Sequence, residues 1–234
     1  MKERYRKGRV VAFEGIDGSG KNTQAKLLGD ALCKAGWPVE VLSFPQYEKT
    51  FFGRMVGRYL AGKFGVVGKV NPYFVSFLYA ADRWQAAGKI RRWLAEGKIV
   101  LADRYAGSNA AYQAANLSVK RRRRFLAWLD TLEFRIFKIP REDLTILLLV
   151  TPEVGQELVG KKQARGYLKG AKQDIHEKNL DYLRRASDTY RKLASERDNW
   201  VVIDCTDGAG GIRSVESIHQ DVLAVLGSRL GIEV

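Results

Sequence analysis

The run Gly15-Ile16-Asp17-Gly18-Ser19-Gly20-Lys21-Asn22-Thr23 has the spacing G-x-x-x-x-G-K and lies between a short apolar stretch and an amphipathic one. Glycines at these places let backbone N–H groups wrap closely around phosphate oxygens, in conformations that a Cβ would obstruct. A helix that begins at Lys21 adds its partial positive charge, and the lysine supplies a point charge between β- and γ-phosphates. The whole turn, Gly15 to Thr23, is therefore read as the seat of a nucleoside triphosphate such as ATP. A ligand-free glycine-rich turn is the plainer alternative, but a chance match is on the order of a few per cent, and the strand and helix context lowers it. The position after the lysine, commonly a Ser or Thr whose hydroxyl ligates Mg²⁺, is Asn22. Its carbonyl oxygen could serve, but the preferred reading has Mg²⁺ held by phosphates, water and one carboxylate, Asp17 or Asp103.

A phosphate donor needs an acceptor, and three further clusters suggest one. Asp103-Arg104-Tyr105 ends the third apolar run, the carboxyl end of a strand, where ligands of open α/β sheets bind. Ser108, Asn109 and Tyr112 follow, and the three-residue spacing of Asn109 and Tyr112 puts an amide and a phenol on one helical face, suited to a base edge and a sugar. Upstream, Tyr79 precedes Arg83 by one helical turn within FVSFLYAADR, a stacking plane beside a donor fork. Phe44-Pro45-Gln46-Tyr47 follows the second apolar run and could bring a phenol to a phosphate. Aromatic stripes are most often core, and an Asp-Arg pair is often an ordinary surface pair; it is the combination that points to a site.

These residues need a scaffold. Continuous apolar runs at 10–14, 39–44, 99–102, 144–150 and 200–205 alternate with segments of helical spacing. Such runs suit strands covered on both faces, so the alternation predicts a parallel sheet between two helical layers, an α/β domain. Helices are expected over 21–35, 72–95, 106–116, 119–137, 174–197 and 214–230. No linker or repeat divides the 234 residues, which are read as one domain. The formal net charge of +14 sits in three segments: +4 over 1–9, +5 in the KRRRR run at 120–124 and +5 over 161–172, leaving the rest neutral. Cys33 and Cys205 have no second thiol or histidine at ligand spacing, which fits a reducing compartment without disulfides or structural zinc. The longest apolar stretch, 144–150, is far short of the roughly 20 residues that span a bilayer, and the basic N-terminus lacks a signal-peptide pattern. A cytoplasmic protein with no membrane contact is expected.

Taken together, FEGIDGSGKNTQ, FPQY, FLYAADR and DRYAGSNAAY resemble the thymidylate kinases, which phosphorylate dTMP with ATP, in order and spacing from about residue 10 to 205. The resemblance implies the three-layer P-loop NTPase fold, with a five-stranded parallel sheet, usually as a homodimer. It implies that Lys21 and its loop hold donor phosphates and that Asp17 lies near the acceptor sugar and the metal. Tyr79 would stack on thymine, Arg83 would donate to a base carbonyl, and Asn109 would meet the base's hydrogen-bonding edge. Tyr112 would lie under the sugar, disfavouring a 2′-hydroxyl. Arg104 would clasp the acceptor phosphate with help from Tyr47, beside Phe44 and Ser108, and Asp103 would arrange metal and water. Residues 17–19 hold no arginine, so a mobile basic lid over about 160–173 must supply one, with Arg165 the first candidate.

Two other functions remain open at this point. A deoxynucleoside kinase would share the turn and an aromatic pocket but needs no arginine clasp for an acceptor phosphate. A nucleotide-gated nucleic-acid binder could use residues 120–124 against backbone phosphates. Phe125, Leu126, Leu129 and Leu132 follow that run at helical spacing, so a solvated basic face on a packing helix is preferred and no specific nucleic acid is expected.

Overall fold

A computed structural model describes residues 7–65, 69–160, 179–208 and 210–234. The chain runs β1 (Arg9–Glu14), α1 (Lys21–Lys34), β2 (Val39–Ser43), α2 (Phe51–Leu60), α3 (Pro72–Ala95), β3 (Ile99–Asp103), α4 (Ala106–Ala114) and α5 (Val119–Asp130). A π-helical turn (Thr131–Ile136) extends α5, and β4 (Leu144–Leu149), α6 (Pro152–Gly160), α7 (Leu180–Ser195), β5 (Trp200–Asp204) and α8 (Val215–Leu230) complete it. All strand pairs are parallel, in the order β2-β3-β1-β4-β5. This is the P-loop NTPase fold expected from the sequence.

The apolar runs are continuous because both faces of the central strands are covered. Along β1, Val11 and Phe13 join a core with α1, α4, α5, α7 and α8, whereas Val10 and Ala12 join a second core with Ala86, Ile90 and Trp93 of α3. Side chains alternate across a strand, so a strand with two apolar faces loses the polar alternation of a half-exposed one. Every residue of β4 is buried; β2, at one edge, keeps one buried position.

Two helices lie outside the expected set, α2 and α6, and each carries glycines that lower its helical propensity. Packing explains one glycine in each helix. A Cβ on Gly53 would fall 2.1 Å from the Gln46 carbonyl oxygen, and one on Gly155 would fall 2.6 Å from that of Asp17. α6 therefore lies directly against the 15–23 turn. The segment expected as one helix over 119–137 widens to the π form after Asp130, which turns Leu132 and Glu133 inward. The expected helix over 174–197 is observed from Leu180 to Ser195, its start at 174–178 lying outside the described residues. Among the described residues no helix is long and apolar enough to cross a membrane.

Candidate active site

The parallel register places Asp103 beside Phe13, so Arg104, which follows β3, meets the turn that follows β1. The Arg104 N–H donates to the Phe13 carbonyl at 3.0 Å, and the residue takes a left-handed φ of 67°. A non-glycine residue there is strained, and the surrounding structure must hold it. Glu14, fully buried at the end of β1, does so: its carboxylate accepts from the Tyr105 and Ser108 N–H groups, the Ser108 hydroxyl and the Tyr190 hydroxyl, at 2.6–2.9 Å. Four donors offset the cost of taking one carboxylate out of water.

A cavity of about 480 Å³ opens over the carboxyl ends of β1, β2 and β3. One side is the glycine turn, in which Gly18 and Gly20 both have φ 86° and Gly20 caps α1. Gly18 also permits close contact, since a Cβ there would lie 2.3 Å from the Gly155 carbonyl oxygen. Lys21 is buried beneath the turn and donates to the Ile16 carbonyl at 2.7 Å and the Ser19 hydroxyl at 3.2 Å. Burial first, and Arg104 second, push its pKa down to about 7. A polyphosphate brought beside it favours the ammonium form, so ATP binding at pH 8 is expected to take up a proton, and to take up less at pH 6. Calorimetry of ATP binding in buffers of different ionisation enthalpy checks this. Equal uptake by wild type and Lys21→Ala would overturn it.

Facing the turn, the Arg104 guanidinium donates to Asp17 Oδ1 at 2.8 Å, to the Ser108 hydroxyl at 2.9 Å and to the Gly15 carbonyl at 3.2 Å, and stands 5.4 Å from the Tyr112 ring centre. Burial works against its charge, but Asp17, Tyr112 and the other neighbouring groups outweigh this and hold its pKa above the usual arginine value. The Tyr112 hydroxyl donates to Asp17 Oδ2 at 2.9 Å. Phe44, Tyr47, Tyr79 and Ser108 also line the cavity. The loop carrying Tyr47 is tied to α3 by Asp82, which accepts from the Gln46 N–H at 2.9 Å and from the Thr50 hydroxyl.

The placement differs from the sequence reading at Arg83 and Asn109, narrows it at Asp17 and Asp103, and does not reach Arg165. Arg83 is 1% exposed and does not line the cavity; Nε donates to Glu133 at 2.8 Å and Nη2 makes a second, shorter bond. A buried guanidinium requires a counter-charge, and the π-helical turn delivers one. Asn109, unlike Tyr112, does not line the cavity: its amide donates to Glu133 and to the Ser76 carbonyl, both at 3.0 Å. Both Asp17 oxygens are engaged, by Arg104 and Tyr112, which leaves Asp103 as the freer carboxylate for a metal; it accepts from the Asn22 amide at 3.2 Å. Finally, Arg165 and 161–173 of the expected lid lie outside the described residues. Two residues were missed. Glu133 carries no sequence signal beyond its helical run, whereas Gln113, one turn after Asn109, could have been found by spacing. Gln113 is 1% exposed and lines the cavity, and neither amide atom has a hydrogen-bond partner among the described residues.

The family described as thymidylate kinase matches residues 13–221 of this chain. The chain belongs to the thymidylate kinase family. The thymidylate kinase of Mycobacterium tuberculosis (strain H37Rv) is 31% identical over 197 residues, covering 83% of this chain and 90% of that protein. A probable thymidylate kinase of Pyrococcus abyssi is 34% identical over 224 residues, 94% and 96% of the two chains. The human thymidylate kinase is 28% identical over 218 residues, 93% and 89% of the two chains. The structure of Candida albicans thymidylate kinase superposes with a TM-score of 0.72 at 20% identity, covering 95% of this chain and 92% of that one, and shares its fold. Family membership supports neither the deoxynucleoside kinase nor the nucleic-acid binder.

Proposed function

We propose that this chain transfers the γ-phosphoryl group of ATP to dTMP, giving ADP and dTDP for dTTP synthesis. One observation carries the reading: Lys21 and Arg104 line a single cavity together with Asp17, which is bonded to Arg104. On this reading Lys21 and the amides of residues 15–23 bind the donor phosphates, and Arg104, with Tyr47, binds the acceptor phosphate. Two anions brought end to end by fixed cations meet at high effective concentration, and positioning with charge neutralisation does most of the work of phosphoryl transfer. Tyr79 supplies a stacking face, and Tyr112, held by Asp17, fills the space where a ribose 2′-hydroxyl would sit. Asp103 and the Asn22 side chain, adjoining Lys21, fit a magnesium ion held mainly by phosphates and water; once bound, the ion neutralises charge on the transferred group. Among the described residues no cluster of three or more acidic, His or Cys side chains could cage a metal without the nucleotide. Arg165, in the 160–173 segment of the single domain, is the proposed lid cation.

The proposed assembly is a homodimer in a reducing cytoplasm. Supporting it, Phe51, Phe77 and Trp84 are exposed, and ring contacts of 5.2–5.9 Å link them through Phe52 and Phe137 into one apolar stripe suited to a second copy. The test of the function is a panel of nucleoside monophosphates and thymidine with labelled ATP and Mg²⁺. Conversion of dTMP to dTDP is expected, ahead of the other acceptors. Turnover of thymidine without turnover of dTMP would overturn the proposal.

A further inference from the structure

The acceptor side of the cavity rests on a small core of its own. Val56, Tyr59 and Leu60 of α2 pack with Val75 and Leu78 of α3, and the cavity-lining Tyr47 and Tyr79 lie against this cluster. One carboxylate ties the cluster to the loop that carries Tyr47. Asp82 is fully buried and lies three residues after Tyr79, on the same side of α3. Both of its oxygens are engaged: Oδ2 accepts from the Gln46 N–H at 2.9 Å and Oδ1 from the Thr50 hydroxyl. That hydroxyl in turn accepts from the Gly53 N–H at 2.8 Å and so caps α2. Gln46 sits between Pro45 and Tyr47, which both line the cavity, and its carbonyl accepts from the Lys49 N–H at 3.1 Å. The backbone that enters Tyr47 is therefore held on both sides.

Arg83, next in sequence, is committed to Glu133, and among the described residues Asp82 makes no ion pair. A buried charge held by neutral donors alone is costly. A carboxylate is acceptor-only, so it receives two donors at once, whereas an amide of the same shape turns an NH₂ group toward one of them. We propose that Asp82 is a positioning residue of the acceptor site: through Gln46 and Thr50 it holds the Tyr47 phenol where the acceptor phosphate lies. α3 then carries both ends of the acceptor pocket, the stacking face on Tyr79 directly and the phenol through Asp82. One helix thus sets the span that a nucleoside monophosphate must fit. The inference rests on the reading of this cavity as a dTMP site. A side chain held in place before the ligand arrives loses less freedom on binding, so releasing it weakens binding at the phosphate end.

The experiment measures kcat and KM for dTMP and for ATP in wild type, Asp82→Asn, Tyr47→Phe and the double variant, with thermal melting alongside. Asp82→Asn is expected to raise KM for dTMP about tenfold, the usual scale of one lost hydrogen bond to a charged group, while KM for ATP stays within about twofold. In the Tyr47→Phe background, which has already lost the phenol, the same substitution is expected to change KM for dTMP by about twofold or less. Equal factors in both backgrounds would show a role in stability alone and overturn the inference. So would a Tyr47→Phe enzyme whose KM for dTMP matches wild type. Where Asp82→Asn fails to fold, Thr50→Val and Thr50→Ser carry the test: the serine keeps the hydroxyl and is expected to match wild type, and the valine to raise KM for dTMP only where Tyr47 is present. A wild type that leaves dTMP unphosphorylated overturns the dTMP reading itself, and this inference with it, whereas additive factors in an active enzyme overturn the role of Asp82 alone.

Discussion

Lys21→Ala is expected to lower kcat by about 10²–10³-fold, the usual consequence of removing one preorganised electrostatic contact from a transition state. The size follows from burial. Lys21 is 5% exposed and bonded to the turn it must serve, so its charge acts in a site from which water is largely excluded. dTMP contacts the other side of the cavity and should bind within about threefold of wild type, because a donor-side loss leaves the acceptor clasp intact. Single-turnover kinetics with a separate dTMP titration checks both halves. A dTMP affinity that collapses in step with kcat would show that donor and acceptor sites are not separate.

Arg104→Ala is expected to cost more on the acceptor side, about 10³-fold in kcat/KM for dTMP, the roughly 4 kcal/mol typical of truncating one partner of a buried, hydrogen-bonded charge pair. Two losses combine: the phosphate loses its cation, and Asp17 is left facing Tyr112 without the 2.8 Å bond that orients it. Arg104→Lys should recover little, since a point charge cannot reach Asp17, Ser108 and Gly15 together. Removing Arg104 also deletes the second largest influence holding the Lys21 pKa down, so in Arg104→Ala that pKa rises and proton uptake on ATP binding at pH 8 shrinks. Steady-state kinetics with dTMP varied is the measurement. A KM for dTMP within twofold of wild type would remove Arg104 from the acceptor site.

How much of this was legible in the residues depended on whether the signal was local. The five strands were readable because each central strand is apolar on both faces, and the glycine turn because its chemistry sits in nine consecutive residues. α2 and α6 were not, since Gly53 and Gly155 answer to close approach by the Gln46 and Asp17 carbonyls, which only the folded chain brings there, rather than to helix propensity. Tyr79 and Tyr112 were correctly placed at the cavity by spacing. Arg83 and Asn109 were expected there by the same reasoning, but side chains at equal spacing on a helix can turn to different neighbours, and theirs is Glu133.

Residue order alone determined the layered α/β architecture, the phosphate-binding turn and the position of Arg104 after its strand, because backbone periodicity and short motifs are properties of neighbouring residues. Tertiary structure decided which polar groups face one another. The strained φ of Arg104 held through Glu14 and Tyr105, the capture of both Asp17 oxygens and the Arg83–Glu133 pair each join residues many positions apart. A buried charge takes whatever counter-charge the packing brings within reach, and no spacing along the chain specifies which one that is.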